Sequence, residues 1–248
     1  MDWGGYLDRI GVERPVAPDL ATLELLQRQH LTAVPFENLD VFYRRGVQTA
    51  DGWSVPKIVE RGRGGWCFEL NGAFAALLTE LGYRVKRLAA TVLYPPISPM
   101  PTHLALEVQL ERPYLVDVGF GDSFIRPLAL DSEGPHDGGI GDFGFLFEND
   151  QTTLVSVGPD SATEQHYRFL RRATRLSDFD EASTWLQTAP DLSWTKSRFA
   201  TRLIEGGPDR VTLLDDRIKF RREGEWTELP VSEDQWPGLL DQWFGMSP

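Results

Sequence analysis

The stretch Trp66-Cys67-Phe68-Glu69-Leu70-Asn71-Gly72-Ala73-Phe74-Ala75-Ala76-Leu77-Leu78-Thr79-Glu80-Leu81-Gly82 marks where the chain changes character. Leu70, Phe74, Leu77, Leu78 and Leu81 fall on one face at helical spacing, which predicts a helix opening near Trp66-Cys67 and stopping at Gly82, a natural left-handed C-terminal cap. From Val85 the apolar period drops to 2. Short alternating segments separated by Pro and Gly continue to about Phe169, which predicts an antiparallel sheet or small barrel.

Upstream, Leu20, Leu23, Leu26 and Leu31 follow the turn residues Pro15, Pro18 and Asp19 and predict another helix, ended by Val34-Pro35. Downstream, Gly134 to Gly144 reads as a long glycine-rich acidic loop. The last third mixes helical pieces with short strands such as Arg210 to Leu214 and Arg217 to Arg221. The fold class is therefore α+β.

The 248 residues are enough to bury a core unaided, and 41% hydrophobic and 25% charged residues are ordinary globular proportions. The formal net charge of −12 disfavours broad nucleic-acid or membrane binding, although a few local cations would still hold a small anionic substrate. Met1 to Ile10 carries Asp2 and Asp8 where a secretory signal needs a basic start and an apolar run. The single cysteine, Cys67, allows no intramolecular disulfide and no thiolate cluster for a metal. These features read as a cytoplasmic, metal-free protein.

Cys67 sits in the first turn of its helix, where unpaired backbone N–H groups and the helix dipole favour the thiolate anion; the alternative is a buried cysteine acting as a small hydrophobe. A nucleophilic cysteine needs a base, and the base needs an orienting partner. Two strands supply candidates. Thr102 to Leu110 and Tyr114 to Phe120, joined by the turn Glu111-Arg112-Pro113, form a hairpin with Leu104, Leu106, Val108, Leu110, Val116 and Val118 on its core face. Parity then puts His103, Ala105, Glu107 and Gln109 with Leu115, Asp117 and Gly119 on the other face. His103 is either the base or a solvated strand histidine, and Asp117 and Glu107 compete to orient it. His30, His136 and His166, the last beginning an edge-like strand, read as structural or solvated. Arg63 and Glu69 flank Cys67 with opposite charges and are expected to pair and pin its turn. Asn71 reads as support, Trp66 and Phe68 as anchors of the helix start, and Arg61 as solvated. The glycine-rich segments lack nucleotide-loop spacing.

Arg63-Gly64-Gly65-Trp66-Cys67-Phe68-Glu69-Leu70-Asn71, with Val34-Pro35-Phe36-Glu37-Asn38-Leu39, Thr102-His103-Leu104 and Val116-Asp117-Val118-Gly119-Phe120-Gly121, strongly resembles the arylamine N-acetyltransferases. The likeness is strongest from about His30 to Ser123 and runs more loosely through Trp194 to Phe199. It implies a helical domain over residues 1–84 carrying the nucleophile, a β-barrel domain over 85–185 carrying the histidine and aspartate, and an α/β lid over 186–248, with a papain- and transglutaminase-like core. It also implies Cys67, His103 and Asp117 as a catalytic triad, which resolves the tie with Glu107, and Phe36, Phe120 and Phe199 as lining of the acceptor pocket.

The implied reaction moves an acetyl group from acetyl-CoA to an arylamine, arylhydrazine or arylhydroxylamine by a ping-pong route through acetyl-Cys67, with no metal. The same constellation fits an amide synthase closing a macrolactam on a polyketide. It fits less well a cysteine hydrolase or transglutaminase-type enzyme, or a non-catalytic binding protein.

Overall fold

A computed structural model describes every residue of the protein except 15, 16, 96 and 159. Helix α1 (Trp3–Arg9) precedes α2 (Leu20–Ala33), whose start is fixed by the Asp19 carboxylate accepting from the Thr22 N–H at 2.8 Å. Of the turn residues expected before α2, Pro18 and Asp19 stand there, and Pro15 lies outside the described residues. Helix α2 ends at Val34, ahead of Pro35. Strand β1 (Phe36–Glu37), α3 (Leu39–Phe42) and α4 (Asp51–Val59) lead to α5 (Cys67–Glu80). The end of α5 is set by Gly82 at φ 91°, in the left-handed region that glycine enters freely.

The alternating segments form β2 (Arg84–Val92), β3 (His103–Gln109), β4 (Pro113–Val116), β5 (Leu128–Ala129), β6 (His136–Asp137), β7 (Asp142–Glu148), β8 (Gln151–Val157) and β9 (Thr163–Ala173). All pair antiparallel in the order β5-β4-β3-β2-β9-β8-β7-β6. The edge strands β5 and β6 lie against each other, so the sheet nearly closes into a barrel. Leu106, Val108 and Val116 pack outward onto Leu70, Phe74 and Leu77 of α5. Ala105, Leu115, Phe145, Leu154, Tyr167 and Phe169 fill the interior.

The sequence reading needs correction in three places here. The second hairpin strand stops at Val116 rather than Phe120, because the next amides are taken by side chains: Val118 N–H donates to Asn71 Oδ1 and Gly119 N–H to Asp117 Oδ1. The expected loop Gly134 to Gly144 contains β6 and the start of β7, paired His136 to Phe143, which buries the Phe143 ring. His166 lies on β9, an internal strand between β2 and β8, and is buried rather than on an edge.

A 3-10 turn (Leu176–Phe179), α6 (Asp180–Thr188) and α7 (Ser193–Lys196) connect the barrel to a second antiparallel sheet. This sheet contains β10 (Ala200–Leu203), β11 (Arg210–Leu213), β12 (Arg217–Arg222) and β13 (Glu225–Pro230), with β1 as its first strand. Helix α8 (Trp236–Phe244) covers one face, setting Trp236, Leu240 and Phe244 on Ala200, Val211, Leu213 and Ile218. Among the described residues no helix is long and apolar enough to cross a membrane.

Helix α5 is anchored by buried charge. Lys57 of α4 places Nζ 2.7 Å from Asp40 and 2.8 Å from Glu69, and Arg63 reaches Glu37 at 2.8 Å and Asp40 at 3.3 Å. The expected Arg63–Glu69 pair is therefore not the one formed. Glu69 points from the first turn of α5 toward α4, whereas Arg63 reaches back to β1 and α3. Burial raises the Glu69 carboxyl above the usual carboxylate range against the pull of Lys57. Removing one partner of such a cluster strands the others without solvent, at a cost of about 3–5 kcal/mol. Lys57→Met should lower the unfolding free energy by about that much in denaturant titration, and Glu69→Gln added to it should recover part of the loss.

His30 is fully buried in the helical layer, its Nε2 3.0 Å from the Tyr6 hydroxyl. Burial, aided by the Arg9 charge, holds its imidazole down at about 3. The folded chain thus keeps His30 neutral where the unfolded chain protonates it, so stability falls as pH drops from about 6.5 toward 3, by up to about 1.4 kcal/mol per pH unit. His30→Gln should flatten that limb between pH 6.5 and 4, measured as the denaturation midpoint at each pH.

Candidate active site

Cys67 opens α5, and the turn before it is tight enough that only glycine fits at two positions. A Cβ on Gly64 would stand 1.9 Å from the Pro35 carbonyl oxygen, and one on Gly65 would stand 2.4 Å from Glu69 Oε2. The Trp66 N–H donates to Glu69 Oε2 at 3.3 Å, and the Trp66 and Phe68 rings pack edge-on at 5.6 Å, which seats the helix start. Cys67 itself is only 5% exposed, with Sγ 3.7 Å from the Thr102 carbonyl oxygen. From the other side the loop after β4 presses in. A Cβ on Gly119 would lie 2.7 Å from the Cys67 Cα.

His103, the first residue of β3, follows Thr102 directly. Its Nε2 lies 2.6 Å from Asp117 Oδ2, both groups being buried. That bond makes Nε2 the protonated nitrogen and leaves Nδ1 for the thiol. Burial alone would lower the imidazole, but the Asp117 charge and hydrogen bond, together with the Cys67 side chain as a further partner, raise it well above its ordinary value. A base so placed takes a proton readily.

Asp117 is held from four directions. Oδ2 receives His103 and the Tyr167 hydroxyl at 3.0 Å, and Oδ1 receives Asn71 Nδ2 at 2.8 Å and the Gly119 N–H at 2.9 Å. Asn71 also donates to the Leu104 carbonyl at 2.6 Å, so one α5 side chain ties the helix to β3 and to the loop. Glu107, the competing carboxylate, shares that face but is engaged elsewhere. It sits across from Lys86 in the β2–β3 ladder and takes Lys86 and Arg171 at 2.8 Å each, and these cations outweigh burial to hold its carboxyl below the usual range.

The three phenylalanines divide. Phe36 and Phe199 line a cavity of about 570 Å3, with Trp194, Val92, Tyr94 and Thr102 also on its wall. Phe36, Trp194 and Phe199 meet with ring centroids 5.5–5.8 Å apart. Phe120 instead presses its ring on the His103 imidazole, centroids 5.0 Å apart. Arg61, expected in solvent, is exposed and stacks over Trp53.

Sequence reasoning missed Tyr167 and Asn38. Tyr167 shares the inward parity of Phe169 on β9, a usable signal for a hydroxyl aimed into the barrel. Asn38 takes the Trp194 and Ser197 carbonyls at 2.9 and 2.7 Å and accepts from the Phe199 N–H at 2.9 Å, so it holds the aromatic wall in place. No local pattern announces that role. Among the described residues no group of three or more His, Cys, Asp and Glu side chains is arranged to hold a metal ion.

Comparison with known proteins agrees over nearly the whole chain. The N-acetyltransferase family model matches residues 19–247. The arylamine N-acetyltransferase of Escherichia coli (strain K12) is 33% identical over 233 residues, 90% of this chain and 80% of that protein. The Mycolicibacterium smegmatis arylamine N-acetyltransferase is 41% identical over 143 residues, a match that spans about half of each chain, 53% of this one and 51% of that one. The structure of the Mycobacterium marinum arylamine N-acetyltransferase in complex with CoA is similar with a TM-score of 0.89 at 30% identity, covering 98% of this chain and 92% of that one. The α+β architecture and these matches together establish that the chain belongs to the arylamine N-acetyltransferase family.

Proposed function

We propose that the protein transfers an acetyl group from acetyl-CoA to an arylamine, arylhydrazine or arylhydroxylamine by a ping-pong route, with Cys67 as nucleophile, His103 as base and Asp117 as its orienting partner. The observation that carries this reading is the buried chain of contacts from Cys67 through His103 to Asp117 beside an aromatic-lined cavity. In this reading residues 1–84 supply the nucleophile, 85–185 the histidine and aspartate, and 186–248 a lid over the acceptor. The similarity to the Mycobacterium marinum enzyme in complex with CoA supports the choice of donor.

In the first half-reaction the Cys67 sulfur attacks the thioester carbonyl carbon while its proton passes to His103 Nδ1. The carbon–sulfur bond to CoA then breaks, and the departing thiolate takes that proton from the imidazolium. In the second half-reaction the amine nitrogen attacks the acetyl carbon on Cys67 and gives a proton to His103. The bond to Sγ breaks and the thiol is restored. The unpaired N–H groups of the first turn of α5 are suited to the charge that develops on the carbonyl oxygen. A planar aniline suits the cavity walled by Phe36 and Phe199, and its weakly basic nitrogen is already neutral at pH 7.

Two measurements check this. Acetyl-CoA alone should add one acetyl group to the protein by intact mass, and double-reciprocal plots over both substrates should be parallel; intersecting lines without an acetylated species exclude the route. Asp117→Asn should slow acetylation of Cys67 by about 10³–10⁴-fold through loss of imidazolium stabilisation and of the right tautomer, whereas Glu107→Gln should change it less than tenfold. If Glu107→Gln proves the crippling change, the assignment of Asp117 is wrong.

A further inference from the structure

Strands β2 and β9 do not pair evenly. Ala90 stands opposite Phe169 and Leu88 opposite Ala173, so two steps along β2 are matched by four along β9. Leu170, Arg171 and Arg172 therefore share the space opposite Ala89, a bulge that parts the ladder and re-aims its side chains. Leu88, Ala90 and Phe169 point into the barrel, so Ala89, Thr91 and Arg168, the partner of Thr91, lie on the outer face. Over the bulge that face opens into a cavity of about 320 Å3, where Ala89, Leu170 and Pro101 contribute apolar surface and Thr91 and Thr174 contribute hydroxyl groups.

Arg168 and Arg172 flank this cavity. Arg168 is opposite Thr91, and Ala173, the neighbour of Arg172, is opposite Leu88, so the two arginines stand within ~10 Å of each other along β2. The cations around them are satisfied: Lys86 and Arg171 share Glu107, and Arg87 takes Asp51. Arg168 and Arg172 themselves form no ion pair among the described residues, and no acidic side chain lines the cavity. On a chain with a net charge of −12 carboxylates are plentiful, and two guanidinium groups left without one around a concave apolar floor make a receptor for an anion. Two guanidinium forks and two hydroxyls offer more donors than the two oxygens of a carboxylate can use. The three free oxygens of a phosphate ester can take them all, and the floor suits a small ring or apolar body attached to the ester oxygen.

This outer cavity and the aromatic one beside Cys67 have no lining residue in common, yet they share a wall. Thr91 lines the outer cavity and Val92 the inner; Pro101 lines the outer and Thr102 the inner. The Thr102 carbonyl oxygen is 3.7 Å from Cys67 Sγ, and His103 is the next residue. We infer that the outer cavity is a second ligand site, which takes a small organic phosphate ester between Arg168 and Arg172 and, when occupied, stiffens the wall it shares with the catalytic cavity. Its ligand is neither acyl donor nor acceptor. The effect of binding reaches the sulfur through the two wall segments alone.

Phenyl phosphate is the probe, and calorimetry reads its binding. Wild-type protein should bind it, Arg168→Gln and Arg172→Gln should each raise Kd about tenfold through loss of one charge-assisted contact, and Arg28→Gln, at an exposed position on α2, should leave Kd unchanged. Inorganic phosphate at equal ionic strength should bind more weakly, because it leaves the apolar floor uncovered. Amide hydrogen exchange over residues 91–92 and 102–103 should slow when phenyl phosphate is added to wild type, and should not respond when both arginines are replaced. Without the probe, kcat/KM for acetyl-CoA should be the same in wild type and in both single variants. No binding to wild type, or equal binding by wild type and both variants, overturns the site. Exchange that does not respond in wild type overturns the coupling through the wall. A tenfold fall in kcat/KM for acetyl-CoA in either variant assigns the arginines to the donor and overturns the proposal.

Discussion

The Asp117 carboxylate is the point on which the rest of the molecule is hung. A buried carboxylate cut off from water must find donors in the protein, and this one finds four, from α5, β3, β9 and its own loop. Each donor belongs to a different part of the fold, so satisfying one charge fixes the helical layer, the barrel and the loop relative to one another. The same bonds hold His103 in one tautomer next to Cys67. Structural economy and chemistry coincide at this residue, and any change that frees one donor leaves the carboxylate or its partner unsatisfied in a dry site.

Around that centre a second set of interactions positions the sulfur. The Glu37, Asp40, Lys57, Arg63 and Glu69 cluster clamps the chain on both sides of Gly64-Gly65, and Asn38 draws Trp194 and Phe199 over the opening. Glu37 and Asn38 are adjacent. One secures the turn before the nucleophile and the other secures the cavity wall, so a two-residue step in the chain coordinates both.

Much of this was legible in the sequence, for identifiable reasons. The helix opening at Cys67 and the facing of His103 with Asp117 follow from periodicity, because side-chain direction is dictated by secondary structure. The end of β4 was not legible, since Val116-Asp117-Val118 continues to alternate. Only the Asn71 side chain, reaching in from 47 residues away, takes the Val118 amide out of the ladder. The partners of Arg63 and Glu69 were missed because nearness in sequence points to each other, whereas the fold delivers Lys57 and Asp40. Parity could not separate Asp117 from Glu107, which share a face. The separation comes from the cations Lys86 and Arg171 around Glu107, one of them a cross-strand neighbour that only the register reveals.

Strand β1 is two residues long, yet it belongs to a sheet whose other strands are made near the end of the chain, and the Asn38–Phe199 bond spans 161 residues. During synthesis, at ~5–20 residues per second, Cys67 therefore emerges on the order of ten seconds before the aromatic segment that covers it. The sulfur, nearly inaccessible in the finished protein, is open to oxidation throughout that interval. The protein's most sensitive moment thus comes at its birth on the ribosome, and a reducing milieu matters most there.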